Sequence, residues 1–265
     1  MIQTIDYNKT SIRYSAKGEG VPLVFLHGYL LSLDVWLDFT SELSHDYRVI
    51  CIDMPGHGES GLPSEISSME LMADVVKKVL DHLRIDSAVI FGHSMGGYAA
   101  LALLGAHPEV FKAIVLFHSH TLADSEEVKK KRDREIKIIE KGQRKLLVVQ
   151  SIPNMFASDT LSVFDNELKL CQNLAKKMDD QAVIAAIRGL RSRPERSELL
   201  RNAAVPCLNI IGRKDNFIDF EKVAMATELP LGSDRLILEN AGHMGFYEDS
   251  ENALAGIRQF LNRIL

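Results

Sequence analysis

The 265-residue sequence predicts an α/β protein, a mostly parallel central sheet flanked by helices. Two patterns predict it. Short apolar runs recur without polar alternation, as expected of strands buried on both faces. Helix-periodic stretches separate these runs, and strand alternating with helix favours parallel pairing through crossover connections.

The elements follow in order. Thr4–Tyr7 and Ser11–Ala16 alternate around a turn-prone Asn8-Lys9 and read as a hairpin. Buried strands are predicted at Pro22–Leu26, Tyr47–Asp53, Ser87–Phe91, Lys112–Phe117, Cys207–Ile211 and Arg235–Leu238. Helices are predicted over Leu33–Leu43, Ser68–Leu83, Met95–Ala106, Phe220–Thr227 and Asn252–Leu265. The alternation breaks once, from Thr121 to Val205, where helix-like stretches are interrupted by Pro153, Gly189 and Pro194. This segment is expected to be a helical lid, residues 121–205, inserted after the sixth strand and folded over the strand ends. Residues 1–120 and 206–265 then form the core. The lid carries 17 Lys+Arg against 13 Asp+Glu, a balance of +4 that leaves −9 on the rest. Such a charge split can dock the lid or attract an anionic substrate.

Composition excludes several partner classes. A net charge of −5 gives no basic field for nucleic acid. No apolar run approaches the roughly 20 residues of a membrane span. The opening MIQTIDYNKT has neither the basic nor the apolar region of a signal peptide. Cys51, Cys171 and Cys207 are far apart with no CxxC pair, so a cytoplasmic protein is expected. Nothing in the sequence sets the oligomeric state.

In open parallel sheets, ligands bind beyond the carboxyl ends of the strands, so chemistry is sought just after each run. After Ala88–Phe91 comes Gly92-His-Ser-Met-Gly-Gly97, and helix formers follow at once. Gly-x-Ser-x-Gly between strand and helix is a nucleophile elbow. The turn is tight enough to require Gly92 and Gly96, and it projects the Ser94 hydroxyl above the sheet at the positive end of the next helix. The first buried run ends in Leu26-His-Gly-Tyr29, where glycine lets backbone approach a ligand. The Tyr29 and Met95 amides are the expected oxyanion donors, with His27 bracing the loop.

Among nine histidines, His243 in Ala241-Gly-His-Met-Gly245 follows the last strand, where a loop can carry imidazole over the serine. Asp215 follows Cys207–Ile211 in Gly212-Arg-Lys-Asp215, one strand–helix unit earlier, and is the expected partner of His243 Nδ1. Asp124 is the substitute acid should Asp215 point away. His118 and His120 form a His-x-His pair without a third ligand, so no metal is expected. Trp36, Phe117, His118, Met155, Phe156, Phe217, Met244 and Phe246 are candidate pocket residues of mainly apolar character. Arg188, Arg191 and Arg193 can meet a carboxylate, a solvated face or an ion pair.

With these pieces placed, the chain resembles the α/β-hydrolase superfamily over nearly its whole length. The resemblance rests on His27-Gly28, Asp53-Met-Pro-Gly-His-Gly-Glu-Ser60, Gly92-His-Ser-Met-Gly-Gly97, Gly212-Arg-Lys-Asp215 and Ala241-Gly-His-Met244. It looks most like lidded carboxylesterases and enol-lactonases. Serine at position 94 departs from epoxide hydrolases and haloalkane dehalogenases, which use aspartate there. The loop after Gly28 lacks the Gly-Pro-Gly of carbon–carbon hydrolases of ring-fission products. The Tyr98-Ala-Ala after Gly97 differs from the Gly-Gly-Arg of menaquinone-pathway relatives. The resemblance implies an α/β-hydrolase fold and a serine hydrolase that cleaves a small, ester-like molecule through an acyl-enzyme without a cofactor. Two other readings stay open: carbon–carbon hydrolysis of a diketone-like substrate, and a hydrolase-fold ligand receptor with little turnover.

Overall fold

Asn8 and Lys9 both take positive φ, 52° and 65°, a turn that matches the twist of the strands it joins. It pairs β1 (Ile2–Tyr7) with β2 (Thr10–Lys17) antiparallel. The structure is a computed structural model and describes residues 2–265, with side chains at all of these except 222 and 224. Six further strands follow: β3 (Pro22–Leu26), β4 (Arg48–Ile52), β5 (Ala88–His93), β6 (Phe111–Phe117), β7 (Cys207–Gly212) and β8 (Asp234–Leu238). The sheet order is β1-β2-β4-β3-β5-β6-β7-β8, and every pairing from β4 onward is parallel.

The pleat explains why the apolar runs are unbroken. Leu23, Phe25, Val89, Phe91, Val115 and Phe117 face one core, while Val24, Leu26, Ile90, Ile114 and Leu116 face the other. On the second face lie α1 (Met69–His82) and α2 (Met95–Ala106). The Ser68 side chain caps α1 by accepting from Leu71 N–H, and the buried stripe runs through Met69, Met72, Val76 and Leu80. Between β6 and β7 come α3 (Glu126–Glu140), α4 (Arg144–Ser151), α5 (Asp165–Lys177), α6 (Asp180–Ser192) and α7 (Ser197–Arg201). After β8 follow the short α8 (Gly245–Glu248) and α9 (Ser250–Ile264), which buries Ala253, Ile257, Phe260 and Leu261 on the first face. No described helix is long and apolar enough to cross a membrane.

Three expectations need correction. Leu33–Leu43 is not an α-helix but two 3₁₀ turns, Leu33–Trp36 and Leu43–His45, joined by an irregular stretch. Leu33, Val35, Trp36, Phe39 and Leu43 are all buried there, and the Leu33 N–H and Asp34 carboxylate are drawn into the Asp53–Arg13 cluster at the segment's start. Phe220–Thr227 shrinks to a π-helical turn at Phe220–Ala224. Gly189 does not interrupt a helix. It lies inside α6 where that helix meets the core, with Ser67 N–H donating to Ala185 O at 3.0 Å.

The Asp53–Ser60 loop is built around a fully buried carboxylate. Asp53 accepts from Leu33 N–H at 2.7 Å, Glu59 N–H at 3.0 Å and Arg13 Nη1 at 3.2 Å. Arg13 also pairs with Asp34 at 2.9 Å, so β2, the post-β3 turn and the post-β4 loop share one ion cluster. Removing the Asp53 carboxylate takes one partner from Arg13, which keeps Asp34, and leaves the Leu33 and Glu59 amides without an acceptor. Asp53→Ala should therefore lower stability by about 3 kcal/mol or more, read as a shifted urea midpoint at unchanged slope.

Candidate active site

Ser94 occupies the turn between β5 and α2 with φ 50° and ψ −115°, a region that non-glycine residues avoid. The surroundings hold it there. Its N–H donates to Phe117 O at 3.0 Å, and its carbonyl accepts from Ser119 Oγ at 2.8 Å and Gly97 N–H at 2.9 Å. A Cβ on Gly92 would lie 2.4 Å from Gly97 Cα, and one on Gly96 would lie 2.3 Å from Leu26 O. Both neighbours are backbone, so only glycine fits.

His243 and Asp215 meet as the topology requires. His243 Nδ1 lies 2.7 Å from Asp215 Oδ2, while Asp215 Oδ1 accepts from the Phe217 and Ile218 amides at 2.8 and 3.1 Å. A second imidazole shares the acid. His118 Nδ1 lies 3.4 Å from the same Oδ2, and Gly245 N–H donates to His118 Nε2 at 3.2 Å. Gly212 N–H is also directed at His118 Nδ1, at 3.1 Å, so backbone amides on both sides fix the ring against Asp215. Burial alone would push the Asp215 carboxyl up. The charge of His243 and the hydrogen bonds from both rings outweigh it and hold the carboxyl well below the usual range.

The ligand-type atoms of His118, Asp215 and His243 lie within 4.8 Å of one another, which invites a metal reading. The donor set does not fit one. Gly212 N–H crowds His118 Nδ1 at 3.1 Å, where a cation would have to bind, and both Asp215 oxygens already take N–H donors.

The loop after β3 passes directly over the elbow: a Cβ on Gly28 would be 3.3 Å from Ser94 Cβ and 2.6 Å from His93 Nδ1. His27 braces this loop. Its Nε2 accepts from Met54 N–H at 3.0 Å, so its Nδ1–H donates to Gly28 O at 2.8 Å. Burial lowers His27 to about 3, which keeps that tautomer neutral. The Tyr29 and Met95 amides meet no protein acceptor among the described residues, and both residues line the cavity that holds Ser94. His93 Nε2–H donates to His243 O at 2.9 Å and ties the elbow to the His243 loop.

Sequence reasoning missed Glu248. Its Oε2 accepts from Gly242 N–H at 2.9 Å and Met244 N–H at 3.1 Å, the two neighbours of His243. Its Oε1 accepts from Ala157 N–H at 2.7 Å and Thr160 Oγ1 at 2.6 Å, in the segment between α4 and α5. No motif marks it, because three of its four partners are backbone amides, which carry no residue identity, and two lie about 90 residues away in the chain.

Ser94 and His243 share a cavity of about 380 Å³. Of the eight pocket candidates, Met155 and Phe217 line it. The other six pack behind it. Trp36, Phe117 and Phe246 form an aromatic cluster with ring centroids 4.5–6.0 Å apart. Phe156 packs on Phe164, Met244 is fully buried, and His118 sits beneath Asp215. Asp124 lines the cavity but is held by Arg193 and Arg132 rather than by His243. Arg193 lines it too, whereas Arg188 donates to Glu65 O and Arg191 pairs with Asp133. Tyr98, His120, Arg132 and Glu135 complete a wall more polar than the sequence suggested. His120 Nδ1 accepts from Leu122 N–H and its Nε2 meets Tyr98 Oη at 2.9 Å, while burial lowers it to about 3.

The chain and its fold have relatives among known proteins. The profile of the alpha/beta hydrolase fold family matches residues 21–147. The AB hydrolase superfamily protein YisY of Bacillus subtilis is 30% identical over 92% of this chain and 93% of its own length. The dihydrolipoyllysine-residue acetyltransferase component of the acetoin cleaving system of Pseudomonas putida is 28% identical over 92% of this chain, which spans 64% of that protein. Among solved structures, a thermophilic esterase from Thermogutta terrifontis, bound to malate, superposes with a TM-score of 0.91 at 26% identity, over 99% of this chain and 97% of that one.

Two outcomes follow from the site geometry. In Glu248→Ala, hydrogen–deuterium exchange should quicken together at the amides of residues 157, 242 and 244, by about tenfold or more, with the core strands unchanged. The depressed Asp215 carboxyl contributes stability that is present above its unfolded value near 3.8 and is lost as pH falls toward its folded value. Urea melts should therefore show the stability gap between wild type and Asp215→Asn constant from pH 7 to 5 and shrinking below about pH 4.

Proposed function

This chain belongs to the α/β-hydrolase superfamily and is an enzyme of hydrolase type, and we propose that it is a serine hydrolase acting on carboxylic esters or related lactones and thioesters. The observation that carries the reading is the strained Ser94 turn opening into the same cavity as His243, whose Nδ1 is bonded to Asp215. The likeness to an esterase supports ester chemistry in particular.

In this mechanism Ser94 Oγ attacks the ester carbonyl as His243 Nε2 takes its proton. Asp215 holds the tautomer that leaves Nε2 free, and His118 in turn holds Asp215. The Tyr29 and Met95 amides receive the oxyanion, a contribution of about 3–4 kcal/mol per donor in related chemistry. His243 then protonates the leaving alcohol, giving the acyl-enzyme. Water activated by the same imidazole attacks the acyl carbon, the oxyanion forms and collapses again, and Ser94 regains its proton.

Residues 121–205 act as the lid in this reading. Support comes from Leu122, Val128, Arg132, Met155, Leu190 and Arg193, which stand over Ser94 in the cavity wall. The three cysteines are free and buried, and burial pushes each thiol up to about 12, which suits a reducing cytoplasm. The substrate is a small molecule.

A fluorophosphonate probe tests the reading. Labelling should map to Ser94, vanish in Ser94→Ala, and slow by about 10³-fold or more in His243→Ala. Asp215→Asn should lower ester turnover by about 10³- to 10⁴-fold with the fold intact. Unlabelled, folded wild-type protein would sink the assignment.

A further inference from the structure

Part of the cavity wall carries charge that cleaving a neutral ester does not require. Asp124 lies between two guanidinium groups, accepting from Arg193 Nη1 at 2.5 Å and from Arg132 Nε at 3.3 Å. Arg193 is held at several points. Its Nε donates to Leu122 O at 3.2 Å, its Nη1 also reaches Leu190 O at 2.9 Å, and its guanidinium lies 4.1 Å from the Tyr98 ring centroid. Arg132 is held less firmly. Its Nη1 reaches Glu135 Oε2 only at 3.5 Å, and its Nη2 meets no acceptor among the described residues. Lys131 at the rim makes no ion pair among the described residues, so the three cations of this wall exceed its two carboxylates by one charge.

A second group in the same wall is also unpaired. The Tyr29 hydroxyl is buried without a hydrogen-bond partner, and it lies within electrostatic reach of Arg132 and Glu135. A buried hydroxyl without a partner beside a half-buried guanidinium edge without an acceptor suits an anion with two oxygens.

We propose that Arg132 and the Tyr29 hydroxyl form an anion subsite that receives a free carboxylate on the ester, making half-esters of dicarboxylic acids the preferred substrates. This rests on the ester-hydrolase reading above. Glu135, at the limit of hydrogen-bond distance, aligns Arg132 without occupying Nη2, so an incoming carboxylate displaces nothing. Arg193 and Asp124 supply the fixed frame.

The test compares kcat/KM for monomethyl glutarate and monomethyl adipate with methyl pentanoate and methyl hexanoate, their chain-matched neutral esters, by pH-stat. Wild type should favour the half-esters by about tenfold or more. In Arg132→Gln that ratio should fall by about 10- to 100-fold, mostly through KM, as expected for a lost charge-assisted hydrogen bond, with partial recovery in Arg132→Lys. A readout independent of that variant is glutarate itself. It should inhibit wild-type hydrolysis of p-nitrophenyl acetate competitively, less so at high salt and less so in Tyr29→Phe. Equal kcat/KM for charged and neutral esters in wild type would overturn the subsite and leave the serine-hydrolase reading standing. Failure to hydrolyse any ester, together with no probe labelling, would overturn both.

Discussion

Everything at the site hangs on holding Ser94 in a backbone conformation that an L-residue avoids. Such a residue costs about 1–3 kcal/mol and persists only where its surroundings over-determine it. Here the determinants come from both neighbours of β5 in the sheet: the end of β3 presses on Gly96, and β6 supplies the Phe117 carbonyl and the Ser119 hydroxyl. The same two neighbours carry the other parts. The loop leaving β3 brings the Tyr29 amide over the elbow, and the loop leaving β6 brings His118 beneath Asp215. Strand order therefore assembles the chemistry as a by-product of stabilising one turn.

Around that turn, histidines serve mainly as neutral struts, His27 and His120 through both ring nitrogens and His93 through Nε2 alone. His27 links the post-β3 loop to Met54, His93 links the elbow to the His243 carbonyl, and His120 links Tyr98 to Leu122. Burial lowers each of them, so their tautomers stay fixed across the range in which the protein works. The charged groups of the cavity wall are the Arg132–Asp124–Arg193 cluster with Glu135 and Lys131 beside it.

The fold class and the motif positions were legible because each depends on local pattern. Buried strands read as apolar runs, and the elbow reads as glycines flanking a serine between a strand and a helix. The pocket was not legible in the same way. Trp36, Phe117 and Phe246 look like pocket residues by type and by their place after strands, yet they meet one another beneath the site. Which face of a loop turns inward is a tertiary property. The 30–45 segment misled for a related reason: its apolar spacing suits a helix, but its start is tied by Leu33 N–H and Asp34 to the buried Asp53–Arg13 cluster, a tertiary tie that local spacing does not show. Arg132 stood in a run of lysines and arginines that reads as a solvated helix face, and only the packing of α3 turned it toward Asp124.

Glu248 ties together two segments that are remote in the chain. One end of its carboxylate grips Ala157 and Thr160, and the other grips the residues on either side of His243. The side chain acts as a common rivet: a shift of the 157–160 segment pulls on the same carboxylate that holds the backbone around His243, so the two segments are fastened to move as one.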